Sequence, residues 1–430
     1  MNGRPGSLFR QANFRNLWFG QTLSLFAAEI TAGVIPLLAA LTLNASVLEM
    51  GVLSAVSFLP YLVISLFAGV WLDRLPKRPV IVAADLGRGV LLLLVPLAAV
   101  LDLLSMPFLL VIAVLIGIGT VIADIGSASF LPSVVGRRDL VDGNGKLEIS
   151  NNASRMAGEA VGGALVQVLT APFALLFNTV AYAVSAVFTQ RIKVNPDAEP
   201  EDEDDEDDEE QPDARKPDFW REVGEGLRFV FGNPIVRTLA ITALLFNLFT
   251  FFIEPVFLIF ITRTLGLEPI YIGLILSSSG VGGVVGALIS GWVSRRMPLG
   301  TLLVVTQWLA GGASLLIPVA TLVPKPAAVV LIIVMHFVDA VMVIVYNVNQ
   351  RSYRSAVTPD ALQGRMNASI RMIVMGVCPL GALLGGVVGN ALSATTALVI
   401  GSLGILSSGV YIACTRIRSV KEIPTEQPTS

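Results

Sequence analysis

Twelve long apolar runs constrain this chain more than any other feature. They fall at roughly 16–43, 49–72, 79–101, 107–132, 147–170, 172–190, 236–262, 270–294, 299–320, 326–350, 367–390 and 393–414. A helix that crosses a bilayer needs about 20 mainly apolar residues, so each run is long enough to span. Membrane barrels instead show segments of about ten residues alternating in polarity, and none is present. The expected fold is an all-α membrane protein of twelve transmembrane helices. Composition agrees: 54% of the 430 residues are hydrophobic and 14% charged, whereas a soluble domain carries about 25% charged residues. Cys378 and Cys414 both lie in apolar runs, where cysteine packs as a small hydrophobe.

Charge sets the expected orientation. Lys and Arg concentrate in the cytoplasmic loops of membrane proteins. With the N-terminus inside, 24 of the 29 basic residues fall in inner segments and two, Arg263 and Lys325, in outer loops. Both termini are therefore expected in the cytoplasm, in the inner (plasma) membrane of a bacterium. The first run is too long for a secretory leader and reads as retained.

The chain repeats itself. Gly69-Val-Trp-Leu-Asp73-Arg74-Leu-Pro76 returns, degenerate, as Gly291-Trp-Val-Ser-Arg295-Arg296-Met-Pro298, 222 residues later. Asn151-x3-Arg155-Met156 returns as Asn367-x3-Arg371-Met372, offset by 216. Two unrelated matches at nearly one offset predict two pseudo-symmetric six-helix bundles, 1–190 and 234–415, with a tail at 416–430. Parallel repeats of this kind occur in one large class of secondary transporters.

Between the bundles, 191–233 is expected to be a cytoplasmic linker. Its run 199–210 holds 11 acidic residues and accounts for the formal charge of −3; the rest of the chain sums to +8. Blocks of like charge repel themselves and stay unfolded. Phe219, Trp220, Val223, Leu227, Val230 and Phe231 then share one helical face, the pattern of a helix lying on a membrane surface.

Charges inside the spans are the candidates for chemistry, since each costs about 2.5–3.5 kcal/mol on insertion scales. Glu29 in the first run has two readings: a proton- or cation-binding site facing a cavity, or a hydrogen-bonded helix contact. Asn151, Arg155 and Glu159 are spaced by four and form a polar stripe on the fifth span. Arg155 has two candidate partners, Glu159 on its own helix and Asp124 on the fourth span, where Thr120, Asp124 and Ser127 share a face. Asn247 and Glu254 share a face of the seventh span, and Arg371 is the repeat mate of Arg155. His336 and Asp339, three apart in the tenth span, are placed to hydrogen-bond; the pair reads either as a proton switch or as a structural histidine. A single histidine excludes a two-histidine zinc site. No metal and no cofactor is expected. Neither a phosphate loop nor a nucleophile–base pair is present, so the chain does not read as an enzyme, and nothing suggests nucleic-acid binding.

Gly69-x3-Asp73-Arg74-x2-Lys77-Arg78 resembles the signature loop between spans two and three of the major facilitator superfamily, and the likeness extends over roughly residues 10–415. Asn13-Phe-Arg-Asn-Leu-Trp18, Gly226-Leu-Arg-Phe-Val and Gly364-Arg365 resemble the branch of macrolide-type multidrug exporters and siderophore exporters. Two positions depart from the drug–proton antiporter pattern: Ala113 in place of an arginine, and Gly158-Glu159 in place of Gly-Pro. The resemblance implies alternating access, with Asp73 locking the halves together; Gly69, Arg74, Lys77 and Arg78 belong to that loop, and Asp85 and Arg88 extend its network. It implies proton-driven export of an amphipathic small molecule by a monomer in the lipid bilayer. Glu29, Asp124 and Glu254 would couple protons. Asn151, Arg155, Glu159, Asn247, His336, Asp339 and Arg371 would line the substrate cavity. Two alternatives stand beside this: a specific exporter of a siderophore or translocator of a lipid, and a non-transporting membrane sensor or docking protein.

Overall fold

The computed structural model describes residues 8–73, 75–135, 139–193 and 219–420. Described residues form helices and turns, with no strand among them. In chain order the helices are α1 (Ala12–Leu41), α2 (Val47–Asp73), α3 (Lys77–Val100), α4 (Met106–Val135), α5 (Leu140–Leu169), α6 (Ala171–Gln190), α7 (Phe219–Gly232), α8 (Pro234–Ile259), α9 (Pro269–Ser294), α10 (Leu299–Ser314), α11 (Leu316–Val319), α12 (Lys325–Val357), α13 (Asp360–Gly376), α14 (Cys378–Ala391) and α15 (Ala394–Ala413).

Ten helical segments among the described residues are long and apolar enough to cross a membrane. Outside that set, α2 contributes a shorter apolar stretch, Val47–Tyr61. The fifth run corresponds to α5, which is 30 residues long but carries Asp142, Lys146, Glu148, Arg155 and Glu159.

Helix limits follow local chemistry. Asn233 caps α8 by accepting from the backbone N–H groups of Ile235 (3.0 Å) and Val236 (3.2 Å), with Pro234 at the first helical position, where no N–H is needed. Ser46 and Glu49 form a reciprocal capping box at the start of α2: Glu49 N donates to Ser46 Oγ (3.2 Å), and Ser46 N donates to Glu49 Oε2 (2.7 Å). Prolines split two expected spans. The break after Ser314 precedes Pro318, and the break at Val377 precedes Pro379, because a proline ring clashes with the carbonyl four residues back. Pro36, Pro60 and Pro255 lie inside continuous helices.

The chain divides into two compact units: Met1–Leu43 with Val56–Ala214, and Asn44–Ala55 with Arg215–Ser430. In unit 1, α1 packs on α5 and α6, and α3 on α4 and α6. In unit 2, α8 packs on α14 and α15, and α10 on α12 and α15. Taken in the order of the apolar runs, these four pairings correspond: first with fifth and sixth, third with fourth and sixth. The α9–α12 contact is built on glycine. A Cβ at Gly282 would stand 2.5 Å from the Phe337 carbonyl oxygen, and one at Gly286 2.8 Å from that of Val341, so the two backbones touch.

Part of the apolar face of α7 meets protein. Val230 is fully buried in a cluster with Val236, Ala240, Met366 and Ile370, Leu227 is half-buried and Phe231 exposed. Glu225 pairs with Arg365 of α13. The acidic run 199–210 and the side chains of Phe219, Trp220 and Val223 lie outside the described residues.

Candidate functional site

Unit 1 brings one group of candidates together. Glu29 sits where α1 crosses α5, and the crossing is possible because residue 158 is glycine: a Cβ there would stand 2.6 Å from that of Glu29. Glu29 lies within electrostatic reach of Arg155, Asp124 and Glu159. Glu29, Asn151 and Glu159 are half-buried, and Asp124 and Arg155 are exposed. Asp124 accepts a hydrogen bond from Tyr61 of α2 (3.2 Å). Neither expected partner of Arg155, Glu159 or Asp124, forms an ion pair with it. An exposed carboxylate and an exposed guanidinium midway along membrane helices are tolerated against water and not against lipid.

Asp85 and Arg88 form a second group in unit 1. They are 1% and 2% exposed, in the interior of unit 1. Arg88 pairs with Asp85, donates to Ser24 (3.0 Å) and Thr120 (3.4 Å), and stacks 4.4 Å above the Tyr182 ring. Asp85 also accepts from Ser24 (3.1 Å) and Ser185 (2.6 Å). Four helices, α1, α3, α4 and α6, are thereby tied to one neutralised pair. The sequence shows two charges three apart within the third run; their burial is decided by serines and a tyrosine far away in the chain.

Of the signature loop, the contacts of Gly69 and Asp73, and Arg74 as a whole, lie outside the described residues. Lys77 is half-buried at the start of α3. Arg78 donates to the carbonyl oxygen of Gln190, the last residue of α6, where a cation also meets the negative end of the helix dipole.

Unit 2 disperses its candidates. Asn247 donates back to Ala243 O of its own helix (2.8 Å), and Glu254 is exposed. His336 does not bond Asp339, as its spacing predicted. Its ring packs against Phe257 (5.0 Å between centroids), and its Nε2 is buried without a partner. Arg371 and Asn367 are exposed on α13. Among the described residues, no group of three or more His, Cys, Asp and Glu is placed to hold a metal ion. An apolar crevice of about 630 Å³ on unit 1, lined by Val168, Leu169, Phe173, Leu176, Phe177 and Val180, includes none of the candidates.

Sequence reasoning missed Tyr61, embedded in an apolar run and given meaning only by Asp124. It also missed the role of Ser24, Tyr182 and Ser185 around Arg88.

Known proteins agree with this architecture. The family described as the Major Facilitator Superfamily matches residues 17–382. The multidrug efflux pump Tap of Mycolicibacterium fortuitum is 27% identical over 91% of this chain and 94% of that protein. The multidrug efflux pump Tap of Mycobacterium tuberculosis (strain ATCC 25618 / H37Rv) is 25% identical over 87% and 86%. Among solved structures, a bacterial homologue of the iron transporter ferroportin, in its inward-facing state, aligns over 95% of this chain and 98% of its own, with TM-score 0.71 and 14% identity. At that identity the likeness is one of fold alone.

Proposed function

The chain belongs to the major facilitator superfamily, a family of multi-pass membrane transporters and not enzymes, and from that premise we propose that it exports amphipathic organic compounds in exchange for protons. In this reading α2 and α5 complete twelve spans, arranged as two pseudo-symmetric six-helix bundles, 1–190 and 234–415, that alternate access across the inner membrane. Both termini and the linker 191–233 are cytoplasmic, the tail is 416–430, and the transporter works as a monomer in the bilayer.

The observation that carries the reading is the cluster of charges on unit 1, half-buried Glu29 and Glu159 with exposed Asp124 and Arg155. Glu29 offers a carboxylate within reach of both Arg155 and Asp124, and a proton arriving at either acid changes the net charge of the cluster. Substrate and proton each act through their differential affinity for the inward- and outward-open states. Glu254 adds an exposed acid on unit 2. Asn151, Arg155, Glu159, Asn247, His336, Asp339 and Arg371 would form the substrate cavity, and the loop from Gly69 through Asp73, Arg74, Lys77 and Arg78 would lock one state. Asp85 and Arg88 would instead hold the bundle that the lock acts on. Likeness to two multidrug efflux pumps supports the substrate class.

Efflux of a panel of dyes and antibiotics from cells making the wild type, Glu29→Gln or Asp124→Asn tests this. Expected is pH-gradient-dependent efflux by the wild type and its loss in one or both variants. Absence of gradient dependence in the wild type overturns proton coupling. A second reading, export of an anionic siderophore or a lipid, is favoured by Arg155 and Arg371, both exposed and neither ion-paired. It predicts that Arg155→Gln or Arg371→Gln abolishes transport of anionic compounds while sparing cationic dyes.

A further inference from the structure

Two arginines are buried among the described residues, and they are treated in opposite ways. Arg88 has a carboxylate, two hydroxyls and an aromatic ring around it. Arg354, in the last turn of α12, is 9% exposed and has one long hydrogen bond, from Nη2 to Asn367 Oδ1 of α13 (3.4 Å). Its Nε is buried without a partner. No carboxylate of the described residues pairs with it. A second guanidinium, Arg351, is near enough to repel it.

A buried charge without a counter-charge strongly disfavours the folded state. The negative end of the α12 dipole offsets only part of that. What restores balance is an anion, and the donors present suit a planar or tetrahedral oxyanion: a guanidinium fork with Nε and Nη groups, a second guanidinium at Arg351, and Asn367, whose Oδ1 accepts from Arg354 and whose amide N–H groups remain as donors. Asn367 and Arg351 are both exposed, so the group opens to the outside of unit 2 and is not sealed in its core.

We propose that Arg354, with Arg351 and Asn367, forms an anion-binding site for a phosphate group where α12 ends and α13 begins. None of its three residues is among those assigned above to the cavity or to proton coupling. Either a free phosphate or the phosphodiester of an anionic lipid headgroup supplies the chemistry.

The test uses the full chain in phosphatidylcholine nanodiscs and reads its thermal unfolding midpoint. One arm adds inorganic phosphate against chloride at equal ionic strength; the other replaces part of the phosphatidylcholine with phosphatidylglycerol, without free phosphate. A rise in the midpoint in at least one arm is expected for the wild type. The responding arm identifies the source. Arg354→Met should lose that rise and, in plain phosphatidylcholine and chloride, unfold no lower than the wild type, because it removes a charge that has no partner there. Arg351→Gln should need roughly tenfold more phosphate, or more phosphatidylglycerol, for the same rise. No rise in either arm, or an equal rise in Arg354→Met, overturns the site. So does failure of Arg354→Met to fold, since that is the behaviour of an arginine satisfied within the chain.

Discussion

Arg88 shows how much a single residue can depend on its surroundings. Its charge is held 2% exposed by groups from three other helices besides its own. Removing one member of such a pair leaves the other buried and unbalanced, at a cost of about 3–5 kcal/mol. Arg88→Met should therefore lower the unfolding midpoint sharply, whereas Asp85→Asn combined with Arg88→Met should recover much of the loss. Thermal unfolding of the two purified variants checks this. Tyr61 is a milder case. Tyr61→Phe removes one hydrogen bond to an exposed carboxylate, worth about 1 kcal/mol, so transport should fall by a few-fold and not vanish in an initial-rate efflux assay.

At the scale of elements, close approach and proline position do most to shape the helices. Gly286→Leu would drive a side chain into the Val341 backbone of α12, and overpacking of this kind costs about 1–3 kcal/mol or more. The expected result is a lower yield of folded protein and a lower midpoint, with Gly291→Leu as the neutral comparison, since nothing lies within 4 Å of a Cβ there. Helix α7 depends on packing more than on its ion pair. The Glu225–Arg365 pair is 40% and 36% exposed, and exposed pairs contribute about 0.2–1 kcal/mol. Glu225→Ala should leave α7 protected from proteolysis, while Gly226→Leu, which would collide with Arg365 and Ser369 of α13, should expose it.

For the whole molecule, the acidic run 199–210 is the outstanding sequence feature that the transport reading does not use. Deleting it leaves a chain of formal charge +8 with its inner loops still basic. Insertion and efflux should both survive the deletion. Lost efflux with normal insertion would instead support a docking role for the run.

What could be read from the chain alone was whatever depends on local composition or on repetition. Apolar length gave helices rather than strands, because a backbone in lipid must satisfy its own hydrogen bonds. Repetition of two motifs at nearly one offset pointed to two related halves, but not to which helices pair within each. Glu29, Asp124 and Arg155 were visible as misplaced charges. Whether a charge is exposed, paired or stranded was not visible, because that depends on residues distant in sequence. Asp85 and Arg88 were two charges three apart in an apolar run, and nothing near them in sequence announced that Ser24, Thr120, Tyr182 and Ser185 close around them. His336 and Asp339 looked like a pair until Phe257 took the histidine's face. Arg354 counted as one more inner-loop cation until burial removed its solvent and no carboxylate took its place. Local sequence decides which segments become helices, through transfer energy and backbone hydrogen bonding. Tertiary packing alone decides the fate of each charge, because the energy of an ion depends on what surrounds it.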